Sequence, residues 1–111
     1  MEYPTHFEES ISFIGHSALE HCIKHGFDVS NKAEQLLLIH SEISEAAECL
    51  RKDDKQSGHI KNYLAIEEEL ADAVIRICNY CYANDLRLAN AILEKLEFNK
   101  TREFRHGGKK F

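Results

Sequence analysis

Two short stretches, SEISEAAE and EEELAD, hold seven carboxylates between them at spacings that suit helices. In the first, Leu38, Glu42, Glu45 and Cys49 keep i, i+4, i+7, i+11 spacing. Glu42 and Glu45 therefore share one helical face, bounded by apolar residues. In the second, Ala65, Glu69, Asp72, Arg76 and Asn79 form a similar line. Glu69 and Asp72 fall about 60° apart around a helix axis, close enough to bind one cation, and Ala65 and Ala73 leave space beside them. Two such pairs on neighbouring helices would gather four carboxylates. Their mutual repulsion would raise their pKa values unless something positive sat between them. Oxygen-only donors on rigid helices suit Mg²⁺, with Mn²⁺ as a substitute, better than zinc or copper.

The same spacings also describe solvated helix faces with i, i+4 ion pairs, such as Glu48 with Lys52 or Asp72 with Arg76. Within EEELAD, Glu67 points toward the apolar side, at a helix start where the dipole favours a carboxylate. Glu68 lies at i, i+4 from Asp72 and is nearly as well placed as Glu69. Periodicity alone does not separate those two.

A basic counterpart follows near the end of the chain. Lys95, Asn99 and Arg102 stand at i, i+4, i+7, and beyond them come Arg105, His106, Gly107, Gly108 and Lys109. A cation, an amide and a guanidinium on one line suit phosphate oxygens. Gly107-Gly108 would let a tail fold close over a ligand. Taken alone, the line equally describes a basic helix end that complements its own dipole. Beside acids that attract a metal, it suggests a metal–polyphosphate ligand.

Other chemistries fit less well. A di-iron carboxylate bundle needs two Glu-x-x-His motifs, and only Glu103 to His106 provides one. The other histidines (His6, His16, His21, His25, His40, His59) read mostly as surface or partly buried polar residues. Cys78 and Cys81 form a CxxC without a second pair or spaced histidines nearby. Both fall on apolar helical positions, where a free thiol behaves as a small hydrophobe.

Helices must hold these groups. Thr5 with Glu8 reads as a capping box that opens a first helix, whose stripe Phe7, Ile11, Ile14, Ala18, Cys22 runs to a C-cap at Gly26. A second helix starts near Ser30 or Asn31 and carries Leu36, Ile39, Ile43, Ala47 and Leu50. Residues 51–59, RKDDKQSGH, form a loop. The third helix is expected from about Ile60 to Ala83, with Leu70, Val74, Ile77 and Cys81 on its stripe. Asn84-Asp85 marks a turn and a new N-cap, and Leu88, Ile92, Leu93 and Leu96 define a fourth helix.

No segment shows strand-like alternation, so the fold class is all-α, a bundle of four to five helices. At 111 residues the chain is one domain, 1–111, with 104–111 a flexible basic tail. The net charge of −5 supplies no global basic field for nucleic acid. The aliphatic run Leu36 to Ile39 is too short to cross a membrane. The acidic start lacks an apolar leader core. A soluble cytoplasmic protein is the expectation.

These residues resemble the MazG-like, all-α nucleoside triphosphate pyrophosphohydrolases. Their ExxE…ExxD signature corresponds to Glu42-x-x-Glu45 and, after 23 intervening residues, Glu69-x-x-Asp72. EKLEFNKTREFRHGGKK is similar to the K-x-x-x-N-x-x-R and H-G-G-K endings of many small members. The resemblance covers roughly Leu36 to Lys110. It implies hydrolysis of a (d)NTP to (d)NMP and pyrophosphate, in nucleotide-pool sanitation. It makes Glu42, Glu45, Glu69 and Asp72 catalytic metal ligands for Mg²⁺, and Lys95, Asn99, Arg102, His106 and Lys109 substrate contacts.

The resemblance also implies a bundle completed by oligomerisation, as a homodimer or a homotetramer built as a dimer of dimers. The apolar girth at Leu36 to Ile39 agrees with burial on several sides. Some relatives stack the base on tryptophan, which this chain lacks, so stacking falls to Tyr, Phe or His. The alternatives are a non-catalytic helical oligomerisation or nucleotide-sensing module, or an enzyme like phosphoribosyl-ATP pyrophosphatase.

Overall fold

The computed structural model describes residues 4–102. His106 and Lys109 lie outside them. The described residues form α1 (Phe7–Lys24), α2 (Lys32–Arg51), α3 (Ala65–Ala83) and α4 (Leu88–Asn99), with no strand among them. One isolated bridge, Gln56 with Leu64, ties together the loop between α2 and α3. None of these helices is long and apolar enough to cross a membrane.

Helix α3 is the central element. Both α1 and α2 pack against it, and α4 rests chiefly on α1. Where α1 crosses α3, the residue is Gly15, and a Cβ there would stand 2.6 Å from both the Cys78 carbonyl oxygen and Tyr82 Cβ. Only glycine allows that approach. The buried apolar positions are small: Ala46, Ala73, Cys78 and Ala89. Helices thus meet closely on one side of each, while Leu36, Leu37 (70% exposed), Leu50, Leu70 and Val74 stay open. The burial expected around the Leu36–Ile39 girth is not provided within one chain.

The helix ends follow local chemistry, with three departures from the sequence reading. Asn31 caps α2 as expected, accepting the Glu34 N–H at 3.0 Å, and Gly26 adopts φ +72° just beyond the α1 C-cap, His25. The Thr5–Glu8 capping box is not the start of α1. Its N-cap is His6, left-handed at φ 66° and without a side-chain bond. Asp85 is not the cap of α4 but its preceding left-handed turn residue, φ 55°, and the N-cap is Arg87.

The third departure is the start of α3, at Ala65 instead of Ile60. Polar side chains hold the intervening segment off the helix. The Ser57 hydroxyl accepts the N–H groups of His59 (3.1 Å) and Ile60 (3.0 Å). Asp54 then accepts the Ile66 N–H at 3.0 Å, and Glu67 accepts the Leu64 N–H at 2.9 Å. Glu67 thus does what its place at a helix start favours.

Candidate metal centre

Helices α2 and α3 face each other with their acids at the contact. Glu42, Glu69 and Asp72 each offer a carboxylate oxygen, all within 4.8 Å of one another. Glu42 is 7% exposed. Its Oε1 accepts from Arg76 Nε at 3.1 Å, while its Oε2 is buried with no hydrogen-bond partner. A buried carboxylate oxygen left unpaired is costly, and a cation is one of the few partners able to satisfy it. Arg76 partly balances Glu42, so its ion pair reaches across to α2 instead of along α3 to Asp72.

The electrostatics agree with a site short of positive charge. Burial, followed by Glu45 and Glu42 beside it, pushes the Glu69 pKa from 4.5 up to about 7. Burial also raises Asp72, reinforced by Glu42 and Glu68 and opposed by Arg76. Glu45 is exposed and stands beside Glu69, outside the close trio. The donors are all oxygens, which fits Mg²⁺ or Mn²⁺.

Glu68 is separated from Glu69 by geometry that periodicity could not supply. One of its oxygens accepts the Ser57 hydroxyl. The other pairs with His59 Nδ1 at 2.7 Å. The Ser57 bond, then the His59 bond, holds its pKa below the usual carboxylate value. Glu48 behaves as the solvated-face reading describes, paired with Arg51 at 3.2 Å and Lys52 at 3.7 Å.

A cavity of about 660 Å³ lies among α1, α2 and α3, and Asp72 is the member of the acid trio on its wall. Asp72 and Arg76 line its near end, with Cys22, Phe27, Leu38 and Asn79 beyond. Asn79 is buried; it donates to Cys22 Sγ at 3.5 Å, and its Oδ1 has no partner. Sequence spacing put Asn79 on the acidic line but gave no sign that its carbonyl would be orphaned beside a cavity.

The basic line is elsewhere. Ala89, Asn90, Leu93 and Glu94 of α4 flank a cavity with Pro4 to Ser12, at the start of α1. The cavity holding Asp72 is lined instead by His21 and Cys22, near the end of α1. Ser12 and Cys22 are about 15 Å apart at helical rise. Lys95, Asn99 and Arg102 are exposed, and Lys95 Nζ sits 4.5 Å over the Phe98 ring. One chain therefore does not bring the basic line to its own acids.

Among the described residues, the fold and site define a four-helix, all-α arrangement with a carboxylate cluster between α2 and α3. No family model matches the chain, and no curated protein or solved structure matches it either.

Proposed function

We propose that this chain is a Mg²⁺-dependent nucleoside triphosphate pyrophosphohydrolase of the MazG-like kind, cleaving (d)NTP to (d)NMP and pyrophosphate in nucleotide-pool sanitation. The observation that carries the reading is the trio Glu42, Glu69 and Asp72 within 4.8 Å, with a buried, unpartnered oxygen on Glu42. These three would hold the metal, with Glu45 alongside. Mg²⁺ held by these residues would supply neutralisation of phosphate charge and a lowered pKa for its bound water.

The chain's own groups do the rest. Arg76 holds Glu42 in place through its 3.1 Å bond. One carboxylate of the cluster, Glu69 or its exposed neighbour Glu45, accepts the proton of the attacking water. The 660 Å³ cavity accommodates the nucleoside, and Phe27 or His21 on its wall serves for stacking in the absence of tryptophan.

Lys95, Asn99 and Arg102 contact the phosphates from a second copy of the chain, because these three lie at the far end of α1 from their own acid cluster, and His106 and Lys109 follow them in sequence as further contacts. The open Leu36, Leu37, Leu70 and Val74 supply apolar surface for a homodimer or a dimer of dimers.

The test incubates the purified protein with a panel of NTPs and dNTPs plus Mg²⁺ and resolves the products. Monophosphate and pyrophosphate are expected. Absence of turnover on every nucleotide would sink the enzyme reading. Full activity in Glu69→Gln or Asp72→Asn would refute the ligand set even with turnover present.

A further inference from the structure

The loop between α2 and α3 is mostly exposed, yet Ser57 within it is 3% exposed and its hydroxyl is fully used. It accepts two backbone N–H groups, from His59 and Ile60, and donates to Glu68. The second oxygen of Glu68 takes the His59 ring by Nδ1 at 2.7 Å. His59 is thereby held twice, at its backbone by Ser57 and at its ring by Glu68. A carboxylate on Nδ1 sets the tautomer and turns Nε2 outward, as in other sites where an oriented imidazole acts on a ligand.

Packing does not require this arrangement. The imidazole is 85% exposed, so the network orders a ring that buries almost nothing. Its location is informative instead. Glu68, which holds the ring at 2.7 Å, directly precedes Glu69 and stands one helical turn before Asp72 on α3. The ring therefore hangs beside a carboxylate cluster that carries a buried, unpartnered oxygen on Glu42.

A polyphosphate drawn to that cluster by a cation still needs donors for its outer oxygens. Arg76 is occupied by Glu42, and the α4 line is at the other end of α1. We infer that His59 is a further substrate-contacting residue, its Nε2 donating to a phosphate oxygen at the acid cluster, with Glu68 and Ser57 as the positioning residues that aim it. This rests on the pyrophosphohydrolase reading above. Glu68 first, then the neighbouring acids Asp72 and Glu69, raises the His59 pKa, which favours the doubly protonated ring that such donation requires.

The experiment measures binding of Mg²⁺ plus inorganic pyrophosphate by calorimetry, and turnover of a nucleoside triphosphate, in the full chain. His59→Gln should weaken pyrophosphate binding about tenfold and lower kcat/KM by a similar factor, the size of one lost charge-assisted hydrogen bond. Its melting temperature should stay near that of the unsubstituted protein. Glu68→Gln should lose part of the same affinity on its own and nothing more in the His59→Gln background.

Unchanged binding and kcat/KM in His59→Gln would overturn the inference. So would a Glu68→Gln loss of equal size in both backgrounds, because Glu68 would then act other than through His59. Turnover by the unsubstituted chain decides the hydrolase reading separately. An active enzyme indifferent to His59 refutes only the role of His59, whereas a chain that neither turns over nucleotides nor binds Mg²⁺-pyrophosphate refutes both.

Discussion

At the residue scale, the chemistry turns on acids that differ although their spacing is alike. Glu69 has its pKa raised from 4.5 to about 7 by burial and by Glu45 and Glu42. The sign for stability follows directly. A carboxyl whose folded pKa lies above its unfolded value favours the fold below the unfolded pKa, and that contribution is lost as pH rises through the folded one. In chelator, the melting temperature of the protein should therefore fall between about pH 4.5 and 7. Mg²⁺ at pH 8 should restore it by mass action. Glu69→Gln should flatten the chelator profile; an unchanged slope would assign it to other groups. The acids themselves were legible in the sequence, since i, i+3 and i, i+4 spacing defines a face. The choice between Glu68 and Glu69 was not, because it depends on Ser57 and His59, which reach Glu68 from a loop whose path no periodicity encodes. For the same reason His59 looked like an ordinary surface histidine.

At the element scale, apolar periodicity located all four helices but misplaced several ends. Stripe spacing reports which face packs, and that signal is strong over α2 and α3. Ends depend on single side-chain bonds, and Asp54, Ser57 and Glu67 together delay α3 to Ala65. The crossing of α1 over α3 was also hidden, because a lone glycine within a helical pattern does not announce what it touches. Gly15→Ala places a methyl group 2.6 Å from the Cys78 carbonyl oxygen and Tyr82 Cβ. That overpacking should cost about 1–3 kcal/mol. A denaturant titration should show the midpoint falling with an unchanged m-value, and a variant as stable as the parent would mean that α1 can shift off α3. Asn31→Ala tests a smaller feature, the α2 N-cap. It should lose about 1 kcal/mol in the same titration, with Mg²⁺ binding retained because Asn31 lies about three helical turns from Glu42.

At the scale of the whole molecule, two incomplete halves need to be reconciled. The acid cluster lies between α2 and α3; Lys95 and Asn99 lie on α4, with Arg102 just beyond its end, at the far end of α1; and the apolar surface of α2 and α3 is left open. A closed two-fold pairing that covers this surface could bring the α4 of one copy to the acids of the other. Mixed assemblies test that directly. Glu69→Gln removes an acid and Arg102→Ala removes a basic contact, so each variant alone should be nearly inactive. In a mixed dimer, one site receives both defects and the other receives neither. Random exchange makes about half of the dimers mixed, each with one intact site, so the equimolar mixture should recover about a quarter of the parental activity. Sedimentation should show the dimer for both variants. A mixture that forms mixed dimers yet recovers nothing would place the basic line outside the site. Activity from a monomer would remove the need for a second copy altogether.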